Sequence, residues 1–263
     1  MIPSFNQIDA EILVNREVAD GLYVMRLRAP AIAERCRPAQ FVQVQTDPGL
    51  SPFLRRPFSA LRVDREAGWF EILYDVIGKG TRRMAQAGPG HVLGLVGPLG
   101  VPFSPPESDG LLLVAGGVGL VPLAFLAWEE PERRDRMTFL MGAAHKGRMP
   151  DLAALLPDAL SVRPATDDGS AGHHGFVTDL IPEYATPGTV VFTCGPHKMM
   201  ARVADICSGL ELPCYASLEN HMACGFGACV GCVVEFREAD RQDERYKRVC
   251  VDGPVVDAHA IVW

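Results

Sequence analysis

Apolar and polar residues alternate in six short stretches within the first hundred residues. Each stretch is bounded by Gly, Pro or Asp and is rich in β-branched or aromatic residues, which is typical of half-buried strands. The stretches are EILVNREVAD, LYVMRLRAP, QFVQVQTDP, FSALRVDRE, WFEILYDVIG and HVLGLVGPLG. Six such strands with little helix predict a small antiparallel β-barrel. One helix is predicted in TRRMAQAG, with Thr81 as its N-cap and Gly88 as its stop.

The pattern changes after PFSPPESDG, where prolines and the loss of apolar periodicity are typical of a linker. Strand-like apolar runs then alternate with helical patterns. The strand-like runs are LLLVAG, MTFLMGAA, ALSVRPATD and TVVFTCGP, and the helical ones are LVPLAFLAWEE, MPDLAALLPD, VTDLIPEY and HKMMARVADICSGL. This alternation predicts a parallel sheet flanked by helices, an α/β unit. We therefore expect a barrel at 1–102, an α/β domain at 103–216 and a small C-terminal module at 217–263.

Composition excludes several classes of protein. The 263 residues are 48% hydrophobic and 22% charged, which is enough to build globular cores. The formal charge of −7 gives no field that would attract nucleic acid. No uninterrupted apolar run reaches the length of about 18 to 20 residues that a membrane span needs, and no basic segment precedes an apolar one at the N-terminus. We expect a cytoplasmic protein with no membrane partner.

Four of the eight cysteines cluster near the C-terminus. Cys224, Cys229 and Cys232 lie in CGFGACVGC, and Cys250 follows. The spacing C-x4-C-x2-C with a distant fourth cysteine is typical of plant-type 2Fe-2S proteins. Gly225, Gly227 and Gly231 are expected to adopt positive φ and so to bring backbone N–H groups close to sulfur. A structural zinc site with four cysteine ligands stays open as an alternative, although such sites usually pair two C-x2-C knuckles.

Two motifs in the barrel region suit a bound phosphate. In RRPFSA an arginine is followed by a rigid proline turn and a hydroxyl residue, although an Arg-Pro pair alone is more often a surface turn. In LYDVIGKGT, Gly78 and Gly80 precede Thr81 at a helix start, where unpaired N–H groups favour an anion.

Two strand-to-helix turns in the α/β region suit a nucleotide. LLLVAGGVGLVPLAF runs from a buried strand through glycines into a helix, but Pro122 stands where G-x-G-x-x-G needs its last glycine, so a ligand-free turn is the alternative. In TVVFTCGPHKMM a strand ends at Cys194, which is either a small buried apolar residue or a side chain that faces a cofactor.

Together these motifs resemble the ferredoxin-NADP-reductase superfamily, and within it the electron-transfer subunits of dihydroorotate dehydrogenase B. The shared motifs occur in the family's order as RRPFS, GKGT, LLLVAGGVGLVPL, CGPHKMM, SLENHMACGFGACVGC and RVCVDGPVVDA. The resemblance implies that the barrel holds FAD, that the α/β domain receives NADH, and that a 2Fe-2S module faces a partner subunit.

The resemblance also implies the residues that bind each group. The implied FAD residues are Arg56, Pro57, Phe58, Ser59, Leu73, Tyr74, Asp75, Gly80 and Thr81. The implied nicotinamide-nucleotide residues are Gly116, Gly117, Gly119, Cys194 and Gly195, and the implied cluster ligands are Cys224, Cys229, Cys232 and Cys250. The basic residues His145, Lys146 and Arg148 leave NADPH open as an alternative to NADH.

The implied function is electron transfer from NADH to the FMN of a catalytic subunit that oxidises dihydroorotate in pyrimidine synthesis, in a heterotetramer with two copies of each subunit. Flavin is needed between NADH and the 2Fe-2S cluster, because a hydride carries two electrons and the cluster accepts one at a time. No catalytic acid or base is expected. The alternatives are a subunit of an NAD(P)H-ferredoxin oxidoreductase or sulfhydrogenase, and a zinc-stabilised binding protein without catalysis.

Overall fold

The computed structural model describes residues 5–47, 49, 51–237 and 245–263. The strands are β1 Asn6–Ala19, β2 Leu22–Arg28, β3 Phe41–Gln45, β4 Arg56–Asp64, β5 Trp69–Asp75, β6 Val92–Leu99, β7 Gly110–Gly116, β8 Met137–Ala143, β9 Ser161–Thr166, β10 His173–His174, β11 Thr189–Cys194, β12 Cys214–Ser217, β13 Val233–Glu235, β14 Tyr246–Arg248 and β15 Val255–Asp257. The α-helices are α1 Pro30–Arg35, α2 Lys79–Gln86, α3 Leu120–Glu129, α4 Leu152–Leu155, α5 Ile181–Tyr184, α6 His197–Gly209 and α7 Val249–Asp252.

The first six strands form a closed antiparallel barrel in the order β1-β2-β5-β4-β3-β6. The alternation along β3 shows how the barrel core is built, because Val42 and Val44 are fully buried inside it. Phe41, by contrast, belongs to the core beneath the α/β sheet. Strand β3 therefore has one face in the barrel and the other against the rest of the molecule, and the predicted barrel is confirmed.

The second sheet has seven strands in the order β10-β9-β8-β7-β11-β12-β15. Its strands pair in parallel except β15, which runs antiparallel to β12. Apolar cores cover both faces of this sheet. The predicted α/β unit is confirmed, and the C-terminal chain adds its edge strand. The remaining C-terminal strands, β13 and β14, form a separate two-stranded sheet.

The helix predicted in TRRMAQAG begins earlier than expected. Helix α2 starts at Lys79 with Gly78 as its N-cap, and Ala87 is its C-cap. Thr81 lies in the first turn, where its Oγ1 accepts hydrogen bonds from the N–H groups of Ile77 at 3.0 Å and Gly78 at 3.2 Å. The assignment of Thr81 as N-cap was therefore wrong, because its hydroxyl caps the turn from inside the helix. The helix ends just before Gly88, as expected.

Two further elements differ from the sequence prediction. Helix α1 was not predicted, because it is only six residues long and begins with a proline. His173 and His174, which no apolar pattern marks as a strand, form a two-residue strand parallel to β9. In the part of the chain that the structure describes, no helix has the length and apolar character needed to cross a bilayer.

Candidate functional site

A cavity of about 460 Å³ lies where the barrel, the seven-stranded sheet and the C-terminal chain meet. The nine residues that the resemblance assigned to FAD all line it: Arg56, Pro57, Phe58, Ser59, Leu73, Tyr74, Asp75, Gly80 and Thr81. They come from the start of β4, the end of β5 and the start of α2. The volume is in the range typical of small-molecule sites, and closure of the barrel is what brings these separate segments together.

The C-terminal chain supplies a wall that the sequence did not predict. Ser217, Leu218, Glu219, Asn220, Met222 and Pro254 line the cavity beside Val118, Val121 and Pro122 from the α/β unit. Glu219 is exposed, but the protein atoms near its carboxyl partly desolvate it and raise its pKa. The stretch SLEN before the first clustered cysteine was quoted only as part of the family resemblance. Its position in the cavity depends on β12 and β15, neither of which the apolar pattern revealed.

One end of the cavity carries groups suited to a phosphate. The side chain of Arg56 and the first turn of α2 meet there, and a Cβ added to Gly80 would lie 3.4 Å from Arg56 Nε. The same Cβ would lie 3.0 Å from Thr46 Oγ1, which is buried and has no hydrogen-bond partner among the described residues. A cation, a helix N-terminus and an unpaired hydroxyl fit an anionic phosphate group. The chain thus fits FAD at this end, and the unpaired Thr46 hydroxyl beside Gly80 is a feature that the sequence did not predict.

An aromatic wall lies beyond this end. The rings of Phe58 and Tyr74 meet edge to face with centroids 5.9 Å apart, and Tyr23 stacks on Tyr74 at 5.7 Å. Burial raises the pKa of Tyr74, and its hydroxyl donates to Asn15 Oδ1 at 2.9 Å. Tyr74 is therefore neutral and held in one orientation, which suits packing against a flat aromatic ligand.

The glycine-rich loops after β7 and β11 touch each other through their backbones. A Cβ on Gly119 would overlap the Cys194 carbonyl, and one on Gly195 would lie 3.0 Å from the Gly116 backbone. These glycines do not line the cavity, whereas Cys194 does. Close packing alone therefore explains why glycine occupies positions 116, 119 and 195. Gly117 differs because a Cβ there would meet no atom within 4 Å, so its surroundings leave room for a ligand.

Cys194 is a buried thiol at the cavity wall. Burial raises its pKa well above the ordinary value. The thiol is consequently neutral at physiological pH and suited to packing rather than to nucleophilic chemistry.

The three basic residues that left NADPH open are not equally free to bind a phosphate. Arg148 donates from Nη1 to Asp75 Oδ1 at 3.3 Å, and also to the Asp20 carbonyl. Both acceptors belong to the barrel, so Arg148 joins the loop after β8 to the first domain. Because its charge is paired with Asp75, a phosphate would have to compete with that carboxylate. Arg148 is therefore poorly placed to bind a phosphate, whereas His145 and Lys146 are exposed.

The four clustered cysteines lie in two contacting pairs. The Cys229 N–H points at Cys224 Sγ at 3.4 Å, and the Cys250 N–H points at Cys232 Sγ at 3.5 Å. Burial raises the pKa of Cys250 to about 12, and the neighbouring Cys232 adds to the shift. Burial also raises the pKa of Cys224, but backbone N–H groups, that of Cys229 foremost, outweigh it and lower the value to about 7.

The paired arrangement suits an iron-sulfur cluster. A two-iron group bridged by two sulfides takes two thiolates on each iron, and two cysteine pairs fit that demand. N–H groups directed at sulfur also suit its negative charge.

The backbone of the cysteine loop follows the predicted geometry at two glycines. Gly225 and Gly227 have φ of 81° and 91°. Gly231 does not adopt positive φ, and the expectation for it was wrong; the preceding Val230 does so instead, with φ of 54°. The loop thus curls around the cysteines by left-handed turns at three places, one of them at a non-glycine residue.

Comparison with known proteins identifies relatives over nearly the whole chain. Residues 219–262 match the family model described as the iron-sulfur cluster binding domain of dihydroorotate dehydrogenase B. The electron transfer subunit of dihydroorotate dehydrogenase B (NAD(+)) from Desulforamulus reducens is 34% identical over 97% of this chain and 98% of its own length. Its Bacillus cereus (strain 03BB102) counterpart is 35% identical over 95% of this chain and 97% of its own length.

Two solved structures show the same fold. A structure of an NADH-dependent reduced ferredoxin-NADP oxidoreductase, described for flavin-based electron bifurcation, has a TM-score of 0.85 and 28% identity, covering 97% of this chain and 90% of its own. A ferredoxin NADP+ reductase from Neisseria gonorrhoeae with bound FAD and NADP has a TM-score of 0.65 and 20% identity, covering 82% of this chain and 94% of its own. The latter supports the fold alone.

Proposed function

The chain belongs to the family of dihydroorotate dehydrogenase B electron-transfer subunits, and on that premise we propose that it carries electrons from NADH through FAD and a 2Fe-2S cluster to a flavin on its catalytic partner. It is an NAD-linked flavin and iron-sulfur oxidoreductase subunit of the ferredoxin-reductase type. The residue assignments, the FMN of the partner and the assembly of two copies of each subunit are parts of the proposal.

One observation carries this function: the cavity wall runs directly into the cysteine loop. Met222 lines the cavity, and Cys224 is two residues further along the chain. Because an extended chain spans at most about 3.6 Å per residue, their Cα atoms are no more than about 7 Å apart. A flavin in the cavity and a cluster on the cysteines would therefore be near neighbours, as single-electron transfer between them requires.

The residues of the chain have binding and orienting roles in this proposal. Arg56, Thr46 and the first turn of α2 would hold the FAD phosphates, while Tyr74 and Phe58 would support its rings. Flavin supplies the chemistry that joins two-electron hydride transfer to one-electron transfer. The loops after β7 and β11, joined at Gly119 and Cys194, would position the nicotinamide against the open side of the cavity. No acid or base from the chain is needed for that transfer.

The partner follows from the family rather than from any contact in the structure. An electron-transfer subunit needs a catalytic subunit, and in this proposal that subunit holds FMN and oxidises dihydroorotate in pyrimidine synthesis. The cytoplasmic location stays a prediction.

A visible spectrum combined with metal analysis tests the proposal. Protein purified without oxygen should be yellow-brown, contain about two irons and two acid-labile sulfides per chain, and lose its flavin absorbance near 450 nm when NADH is added. Colourless protein with stoichiometric zinc would refute it and support the non-catalytic binding protein instead.

A second candidate is a subunit of an NAD(P)H-ferredoxin oxidoreductase, favoured by the TM-score of 0.85 to a structure of that activity. Co-purification separates the two. A partner that contains FMN and oxidises dihydroorotate supports the first proposal, whereas a large iron-sulfur flavoprotein partner supports the second. The higher identity of 34–35% to dihydroorotate dehydrogenase subunits favours the first.

A further inference from the structure

Gln43 is a fully buried polar side chain. It lies in the middle of β3, and its relative exposure is 0%. Neither Nε2 nor Oε1 of its carboxamide has a hydrogen-bond partner among the described residues. Burial of an amide without a partner is unfavourable, so a glutamine at this position indicates a partner beyond the described residues.

The surroundings of Gln43 show where that partner lies. Gln43 faces away from the barrel core, because its neighbours Val42 and Val44 point into it. Against its carboxamide lies Gly225, the residue that follows Cys224: a Cβ on Gly225 would come within 2.5 Å of Gln43 Nε2 and 2.6 Å of Cγ. The cysteine loop therefore closes over the amide group, and any side chain at position 225 would separate the two.

The flavin cavity is not the source of the partner. Phe41, two residues earlier on the same face of β3, lines that cavity, and Gln43 does not. Of the two groups in the proposed function, the cluster is the one whose ligand loop touches Gln43.

We propose that Gln43 donates a hydrogen bond from Nε2 to a sulfur of the cluster at its Cys224 end, across the space that Gly225 leaves open. Gln43 is thus a positioning and tuning residue supplied by the flavin domain rather than by the cysteine module. The inference rests on the proposed function, because it requires that the cysteines hold a cluster.

The consequence is electrostatic. A hydrogen bond to sulfur stabilises the reduced, more negative cluster more than the oxidised one, and so raises the reduction potential. Removal of the donor should lower the potential. A tenfold change in the ratio of reduced to oxidised cluster corresponds to about 59 mV for a one-electron couple.

Gln43→Met and Gln43→Leu test the inference, since both fill the same space without a donor. Gln45→Leu is the matched control, because Gln45 lies two residues further along the same face of β3 and its Oε1 accepts from Arg55 at 3.4 Å. The measurements on the anaerobic holoprotein are iron and sulfide content, the EPR spectrum of the reduced cluster, and the cluster and flavin potentials from a redox titration.

Both Gln43 variants should retain FAD. At a given potential their ratio of reduced to oxidised cluster should be about tenfold lower than in the wild type, and the EPR g values should change. Gln45→Leu should match the wild type. An unchanged cluster potential and EPR spectrum in both Gln43 variants would overturn the inference, as would a shift of the flavin potential alone. Wild-type protein without iron and sulfide would instead refute the proposed function.

Discussion

The contact between Gly119 and Cys194 makes a sharp prediction for Gly119→Ala. Gly119 has φ of −62° and ψ of −9°, which alanine adopts readily, so the substitution adds no backbone strain. The new Cβ, however, would lie less than 3.0 Å from three backbone atoms, Cys194 C and O and Gly195 N. Backbone atoms cannot rotate away as a side chain can, so the two loops must separate.

The cost follows from the size of that overlap. Overpacking a rigid site costs about 1–3 kcal/mol, which for a chain of this size lowers the melting temperature by about 2–12 °C. The separation also moves the wall that carries Cys194 and Val118, and a misplacement of about 1 Å can slow a reaction by about 10²-fold. Stopped-flow measurement of FAD reduction by NADH should therefore show a large loss of rate, while FAD remains bound to the barrel.

Gly209→Ala is the matched control for this prediction. Gly209 is the last residue of α6, and a Cβ there would meet no atom within 4 Å. The same chemical change should leave the rate of FAD reduction by NADH close to that of the wild type. The melting temperature should be unchanged or slightly higher. If Gly119→Ala behaved like Gly209→Ala in both measurements, the two loops would not be in backbone contact and the explanation of these glycines would fail.

Three further predictions concern single side chains. Thr46→Val should weaken FAD binding by about tenfold or more, because a hydrogen bond to a charged group is lost, whereas Thr46→Ser should not. Equal dissociation constants of Thr46→Val and the wild type in a fluorescence titration would contradict this. Cys232→Ser should leave FAD reduction by NADH measurable but sharply reduce electron transfer to the catalytic subunit, and unchanged transfer would exclude this route. Burial raises the pKa of Cys194, so iodoacetamide at pH 8 should leave that thiol unmodified in the folded protein. Mass spectrometry of the peptides measures this, and alkylation at the rate of a free cysteine would contradict the prediction.

Local patterns were sufficient to predict most of the barrel and the sheet. The six alternating stretches in the first hundred residues correspond to β1 through β6, and the four apolar runs in the second half correspond to β7, β8, β9 and β11. These elements are predictable because the pattern of apolar and polar residues within each one shows which of its side chains are buried. The short strands β10, β12 and β15 carry too few residues for a period to be visible, and only the neighbouring strand defines them.

The site residues that were missed depend on contacts distant in sequence. Gln43 and Gln45 alternate with valines, which predicts a solvent-facing side of β3, and the burial of Gln43 comes from Gly225, 182 residues later. Pro254 and Met222 line the cavity only because β15 pairs with β12. Arg148 was grouped with phosphate-binding candidates on charge alone, and nothing near it in sequence reveals its ion pair with Asp75.

The cluster module is held to the flavin site at both of its ends. At one end Met222 lines the cavity just before Cys224, and at the other Pro254 lines it four residues after Cys250. Pro254 is also bridged to Val101, after the last barrel strand, and the residues that follow it join the seven-stranded sheet as β15.

A hinge between the cavity and the cysteine loop would have to break these strand contacts. The loop after β8, by contrast, is joined to the barrel by the Arg148–Asp75 pair. Domain movements between states tend to occur where few backbone hydrogen bonds are lost. We therefore expect the distance from flavin to cluster to be constant throughout turnover and any opening to occur on the side that admits NADH.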